Sequence, residues 1–443
     1  MKTFINRDLP NDEYQAAVGA NNPSASNVFA TINDIPAVSS GIWGISDASG
    51  VYTYYTTFTL AMAAAVAGQT IELFADVTET GNVTIAMKSG VIINGNGHTY
   101  TYTNNSGIMF SDSANASGTF AFYNINITRT NTTSTGAVIF AFTATSLYAT
   151  STVDFNSCVI KYTVTSGNSQ IASTDALKSA ILNSVNCVTN GAGTAFIGSQ
   201  VITLNNAIIT CNGTSSGAYS CTLKQCIIQT QSGCGISNST TRECVVNCIT
   251  SGIGINAGSS YNCTVTTNTG NCFDSTGPLV NSGSGSANNC VAITTSGICY
   301  YSVVTNGCWG YSSTNHAIFI HFNYGDGRYK YYNGFFSSGG AIVANVPSGA
   351  YLINCTISST WNNAGGHAVR ISGTGNDSSG QAKNQIINCV LETVNASANC
   401  INSVAASDCK YSNNSFKIAS TPVNVNVTQG IINTQDNQGN ILL

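Results

Sequence analysis

Charged side chains are scarce in this chain of 443 residues: Asp, Glu, Lys and Arg make up 7%, against about a quarter in an average soluble domain. The shortage excludes a mainly helical protein, because surface helices stay solvated through Lys/Glu faces, and 14 basic with 18 acidic residues cannot coat helices over this length. Basic clusters are also lacking, and a net charge of −4 offers no field for a phosphate backbone, so no nucleic-acid partner is expected. The longest apolar run, around Phe58 to Ala67, falls well short of the roughly 18–20 residues that cross a bilayer, so no membrane insertion is expected. The opening MKTFINRDLPNDEYQ has no apolar h-region, which reads as a chain not exported by the general route. Histidine occurs four times and no Cys-x-x-Cys pair exists, so neither a metal nor a cofactor is expected.

Asn, Ser and Thr, roughly a third of the residues, and 43 Gly stand in place of charge. This mixture is poor for helices and rich in turn formers. Disorder does not follow, because 43% of the chain is hydrophobic, with many Val, Ile, Phe and Tyr. All seventeen cysteines lie at or after Cys158, many directly after Asn: Asn186-Cys187, Asn247-Cys248, Asn262-Cys263, Asn271-Cys272, Asn289-Cys290, Asn354-Cys355, Asn388-Cys389, Asn399-Cys400. Repetition of this kind is a structural rule, with Cys as a small, reduced, buried hydrophobe.

Aligned on cysteine, LKQCIIQTQSGCGISNST, TRECVVNCITSGIGINAGS and SYNCTVTTNTGNCFDST follow one another at Cys226, Cys244 and Cys263. Looser copies occur at Cys158, Cys187, Cys290, Cys355 and Cys389. A unit near 20 residues, built of polar-Cys-x-Val/Ile and Gly/Asn turns, is too short for a propeller blade and has no helix for a leucine-rich repeat. The remaining architecture is a parallel β-solenoid, in which Cys, Val and Ile form inward ladders and Asn sits in left-handed corners with stacked amides. Some 14–17 coils at about 4.8 Å give a rod of about 70–80 Å. Solenoid ends need caps, and Phe58 to Gly68 predicts an Ala-rich helix of about 10 residues ended by Gly68.

That helix leads into Thr70-Ile71-Glu72-Leu73-Phe74, then Asn82-Val83-Thr84-Ile85, then Val91-Ile92-Ile93-Asn94-Gly95-Asn96-Gly97-His98-Thr99. Here the sequence resembles the opening of the right-handed parallel β-helix, or pectin-lyase-like, superfamily. The resemblance implies an all-β fold, a right-handed parallel β-helix with a short N-terminal capping helix, assembling as a homotrimer. Residues 1–40 hold three of the six prolines and no repeat unit, and read as an extended arm. Within it, Asn22-Pro23-Ser24-Ala25-Ser26-Asn27-Val28-Phe29-Ala30-Thr31, followed by Asp34, is similar to a segment of bacteriophage fibre and spike proteins, as is the terminal QDNQGNILL. The resemblance implies virion docking through Asn22, Pro23, Asn27, Phe29 and Asp34. The domains expected are an arm (1–40), a capping segment (41–75), the β-helix (76–425) with an aromatic-rich insertion at 308–347, and an end segment (426–443).

Enzymes of this fold need paired carboxylates or a calcium-binding acidic cluster. Asp154 and Asp175, 21 residues apart, are the best pair on offer, and two surface acids one coil apart by chance is the favoured account. The polygalacturonase Asn-Thr-Asp, Asp-Asp and Gly-His-Gly signatures are not seen, and Gly366-His367-Ala368-Val369-Arg370-Ile371 is a faint echo of that family's His and Arg-Ile elements. His98 reads as a hydrogen-bonded corner residue. A 47-residue gap in the cysteine pattern, Cys308 to Cys355, carries Trp309, Tyr311, Tyr324, Asp326, Arg328, Tyr329, Tyr331 and Tyr332. With the turn Gly325-Asp326-Gly327 it predicts a hairpin or protruding loop whose aromatics either stack on sugar or pack on a neighbouring subunit or the solenoid flank. The function expected is a structural virion fibre or spike, of head or tail, that adsorbs to host polysaccharide. A capsule-depolymerising enzyme and a bacterial surface adhesin are the alternatives.

Overall fold

A computed structural model describes residues 41–81, 84–103, 106–144, 149–168, 170–175, 178–275, 285–319, 329–340, 342–346, 350–362, 366–371, 384–394, 400–403, 409–418 and 441–442. The docking residues Asn22, Pro23, Asn27, Phe29 and Asp34, and Tyr324, Asp326 and Arg328, lie outside them.

Alternation of apolar and polar residues over three to six positions makes short strands, and parallel pairing of each strand with its counterpart one coil later makes three stacked faces. Face one runs from Thr70–Leu73 through fifteen strands to Cys409–Ser412 among the described residues. Face two begins at Val77–Thr80 and face three at Ile85–Ala86. The chain visits one, two and three in turn, then climbs. Fifteen levels at about 4.8 Å give a rod about 70 Å long, the right-handed parallel β-helix expected.

Inward residues form ladders. Along face two the same position reads Ile127, Ile160, Cys187, Ile209, Ile228, Val246, Val265 and Ala292 in successive coils, all buried. Two residues further on the ladder is hydroxyl and thiol: Thr230, Cys248, Thr267, Thr294, Ser312 and Ser338. These groups donate to turn carbonyls, Thr230 Oγ1 to Gly233 O in the turn that follows it at 3.0 Å and Ser312 Oγ to Gly297 O in the turn of the coil before at 2.9 Å, which settles buried polar groups that would otherwise be costly. In that turn Gly233, Gly252, Gly270 and Gly297 stack so tightly that a Cβ would stand about 2 Å from a carbonyl oxygen below.

From the third coil on, the chain bends between faces one and two through a single left-handed residue per coil. Asn124, Ser157, Ser184, Asn206, Gln225, Glu243, Asn262, Asn289, Asn333, Asn354, Asn388 and Asn413 have φ from 47° to 56° there, and Gly307 has 65°. Asn is frequent at this corner because it tolerates the conformation, and its amides do stack: Asn354 Nδ2 donates to Asn333 Oδ1 at 3.2 Å. The next residue is Cys in most coils, and its thiol donates back to the carbonyl two residues earlier, as Cys263 to Tyr261 O at 3.2 Å. The Asn-Cys pairs are therefore not one rule. Asn262, Asn289, Asn354 and Asn388 are corners, whereas Asn186 and Asn247 lie in face two strands and Asn271 immediately precedes face three. The sixteen cysteines from Cys158 to Cys400 are free thiols.

The first coil is sealed by elements that the sequence reading only half recovered. Strands β1 (Trp43–Ser46) and β2 (Tyr52–Tyr55) form an antiparallel hairpin, and β1 also pairs antiparallel with the first face one strand, Thr70–Leu73, covering its edge. Helix α1 is shorter than expected, Phe58–Ala64, with Thr57 as N-cap and Ala65 already extended; Gly68 lies beyond its end. Lys88 Nζ stops it by donating to the carbonyls of Ala63 and Ala65 at 2.5 and 2.9 Å. Glu79 ties the cap together, accepting from Trp43 Nε1 at 3.0 Å, Phe58 N at 2.7 Å and Tyr100 OH at 3.0 Å.

Candidate functional site

The two acids proposed as a pair are held apart by the register. Asp154 points outward from face one and accepts from Asn183 Nδ2 at 2.6 Å, while Asn205 Nδ2 donates to Asn183 at 2.8 Å, so it starts an amide ladder. Asp175 lies where face three ends. It accepts the backbone N–H groups of Ala144 and Lys178, both at 2.9 Å, and so closes a turn. Asp154 registers with Asn183 in the next coil, five residues along the strand from Lys178, which is about 17 Å. Glycosidase carboxylates stand about 5–9.5 Å apart. Near Asp175, Lys178 and Asp112 form a fully buried ion pair at 3.1 Å. His98, as expected for a corner residue, is engaged, with Asp76 at 3.4 Å.

The turn Gly325-Asp326-Gly327 lies outside the described residues, and the described parts of the aromatic segment are rungs of the coil. Trp309–Ser312 and Phe335–Ser338 are consecutive rungs of face two, and Tyr329–Tyr332 is a rung of face one. The described strands in the apparent gap pair in register with the coils before and after it. Cysteine is missing there because Gly334 occupies its corner place, and Gly334 must be glycine because the Phe336 ring lies where a Cβ would project, 2.4 Å away. Tyr331 is buried in the core, edge-on to Phe336 at 6.2 Å, and Tyr332 is half-buried on face one. Trp309 and Tyr311 point outward from face two, and the Trp309 and Phe335 rings stack at 6.4 Å with their planes 6° apart.

These rings end a longer stripe. The outward position before each inward Val/Ile of face two reads Val159, Asn186, Ile208, Ile227, Val245, Thr264, Val291, Trp309, Phe335, Thr356 and Val390 in register. Ile208, Ile227 and Val245 are 44%, 50% and 45% exposed. The second outward column runs Val188, Thr210, Gln229, Asn247, Thr266, Ile293, Tyr311, Ser337 and Ser358. From Val188 to Ser358 neither column holds a charge; in the second column Lys161 stands one coil before and Glu392 and Lys417 follow. Face one, by contrast, shows Asp154, Lys224 and Arg242 to solvent, with the Arg242 guanidinium 5.9 Å above the Tyr261 ring.

A second outer feature lies on face three. Tyr301 and Phe319, one coil apart, stack at 5.2 Å with planes 7° apart, and His316 stacks on Phe319 at 5.4 Å. His316 Nδ1 lies 2.6 Å from the Ile342 carbonyl. Burial lowers its pKa, with the Arg370 charge adding to the effect against the carbonyl's opposing pull, so the imidazole is neutral at pH 7. The sequence signal for this cluster is the 18-residue spacing of Tyr301 and Phe319, hidden because cysteine served as the ruler. Among the described residues no group of three or more His, Cys, Asp or Glu is placed to hold a metal.

No family model and no curated protein matches the chain. Solved structures do. A chain of the Vag8–C1 inhibitor complex matches with a TM-score of 0.51 at 12% identity, over 79% of this chain and 98% of that one. The tailspike protein of Escherichia coli bacteriophage HK620, solved with a pentasaccharide, has a TM-score of 0.38 at 13% identity over 89% and 79%. The A-module of the Azotobacter vinelandii mannuronan C-5 epimerase AlgE4 has 0.27 at 9% over 84% and 93%. At 12% identity the first likeness is one of fold, the right-handed parallel β-helix.

Proposed function

We propose that this chain is a structural fibre or spike of a bacteriophage particle, docked through residues 1–40 and adsorbing to host-surface polysaccharide along its shaft. The observation that carries the adsorption reading is the ring ladder Tyr301, Phe319 and His316 with Arg370 on the outer side of face three. Flat rings spaced one coil apart suit the faces of successive sugars, and a guanidinium suits their hydroxyls or carboxylates. Tyr324, Asp326 and Arg328 follow Phe319 within nine residues in the sequence. The docking reading is supported by the Asn22 to Thr31 segment, which precedes the first coil in the sequence.

The test is adsorption of the purified full chain to cells of a susceptible host. Tyr301→Ala with Phe319→Ala should weaken it at least 10-fold while the circular dichroism stays that of the parent. Unchanged adsorption would sink the site. For docking, a chain lacking residues 1–40 should remain a folded rod that is absent from purified particles by mass spectrometry; normal incorporation would overturn that part. Cleavage of a host capsule that is lost in Asp154→Asn or Asp175→Asn would favour a depolymerase instead.

A further inference from the structure

We infer that the outer surface of face two is the contact through which further copies of this chain assemble, side by side and parallel, into the working rod. The inference names a surface and its occupant, and it is independent of what the rod adsorbs to.

Three properties of the face carry it. First, it is apolar where a solvated sheet would be polar: Val159, Ile208, Ile227, Val245, Val291, Trp309 and Phe335 occupy one outward column. Contiguous exposed apolar surface on this scale marks a contact. Second, it is large enough. Thirteen strands from Asn126 to Ser415 rise about 58 Å and are about 13 Å across, a plan area of about 750 Å², against about 800 Å² per partner in a stable interface; nine of them, at its centre, carry no outward charge, with Lys161 below and the Glu392–Lys417 ion pair above.

Third, its chemistry suits a copy of itself. No charge stands in either outward column from Val188 to Ser358. A contact between identical faces sets like against like, so any charge in it would meet its own kind, whereas a foreign partner imposes no such bar. Face one, with Asp154, Lys224 and Arg242 outward, lacks this property. The stripe also follows the rod axis, as a parallel side-by-side contact requires, and three rods closing about a common axis is the assembly expected.

Sedimentation velocity on the full chain tests the assignment. The parent should run as an oligomer at low micromolar concentration. Ile227→Lys with Val245→Lys, adjacent in register, should weaken association at least 100-fold and yield monomers of 45.9 kDa with unchanged β circular dichroism. Thr222→Lys with Thr240→Lys places the same two charges on adjacent exposed positions of face one and should leave the oligomer intact. Should the face two lysines prevent folding, Ile227→Thr with Val245→Thr keeps β-branched side chains and should still weaken association at least 10-fold. A monomeric parent, or an oligomer untouched by both face two variants, overturns the inference. Loss of assembly with host adsorption retained separates this surface from the face three ladder.

Discussion

Replacing Lys178 by Met should destabilise the first coils severely, although no surface charge changes. Its ammonium group and the Asp112 carboxylate are 0% and 3% exposed and stand 3.1 Å apart. Lys178 Nζ also donates to the carbonyls of Ala114 at 2.7 Å and Ala116 at 2.9 Å, and Asp112 accepts from the Ser151 hydroxyl. The pair pins the 112–118 segment against the rung that follows. Methionine fills the stem volume but strands a buried carboxylate and two carbonyls, a loss of about 3–5 kcal/mol. Asp112→Asn added to Lys178→Met removes the stranded charge, and the double variant should recover to within about 2 kcal/mol of the parent, the residue being the two carbonyls.

Because each coil touches only its neighbours, the loss should be local. Native-state hydrogen exchange is therefore the assay. Protection in Ser106–Asp112, Ala149–Asn156 and Lys178–Asn183 should fall at least 100-fold in Lys178→Met, since about 1.4 kcal/mol is tenfold, while Ile236–Arg242 and Val245–Cys248 keep theirs. A single variant costing under about 1 kcal/mol, or a double variant no better than the single, would refute the account, because coupling between the two groups is what the geometry requires.

Two further perturbations probe the corners and the core. Asn262 is exposed with φ 52°, so Asn262→Val should lose about 1–2 kcal/mol from backbone conformation alone, whereas Asn262→Gly, which copies the natural Gly307 corner, should stay within about 1 kcal/mol of the parent in urea melts. Burial pushes the thiols up, to about 11 for Cys211 and about 12 for Cys234 and Cys400. These groups hold their protons longer in the folded state than in the unfolded one, so their contribution to stability is complete below the ordinary thiol value and is lost as pH rises through 9 toward 12. Thermal melts should fall across that window with disulfide reagents unreactive at pH 8; a flat profile, or rapid thiol labelling of the native rod, would count against buried, stacked cysteines.

How far the fold was legible turns on what a ladder repeats. Cys226, Cys244 and Cys263 recur at 18 and 19 residues because one corner environment recurs, a thiol under a left-handed residue bonding back to a carbonyl, and that is enough to read a solenoid from the chain. Where a different side chain fills the same space the ruler fails: Phe336 takes the corner, Gly334 yields to it, and the rungs Trp309–Ser312, Tyr329–Tyr332 and Phe335–Ser338 go unread as rungs. The hairpin β1–β2 was missed for the opposite reason, since a cap occurs once and has no copy to align with. Alternation explains the remaining site. In the unit polar-Cys-x-Val/Ile, the residue x alternates away from the core, and for a rod alone in water a polar β-former such as Thr264 or Thr356 satisfies it. It is instead Val159, Ile227, Val245, Val291, Trp309 and Val390 in the cysteine-bearing units. Face one, which solvates itself with Asn, Lys and Arg, proves that this coil geometry does not demand apolar outward residues. Their run along face two is what the proposed self-contact requires, and from Val188 to Ser358 the surface they line is straight and uncharged.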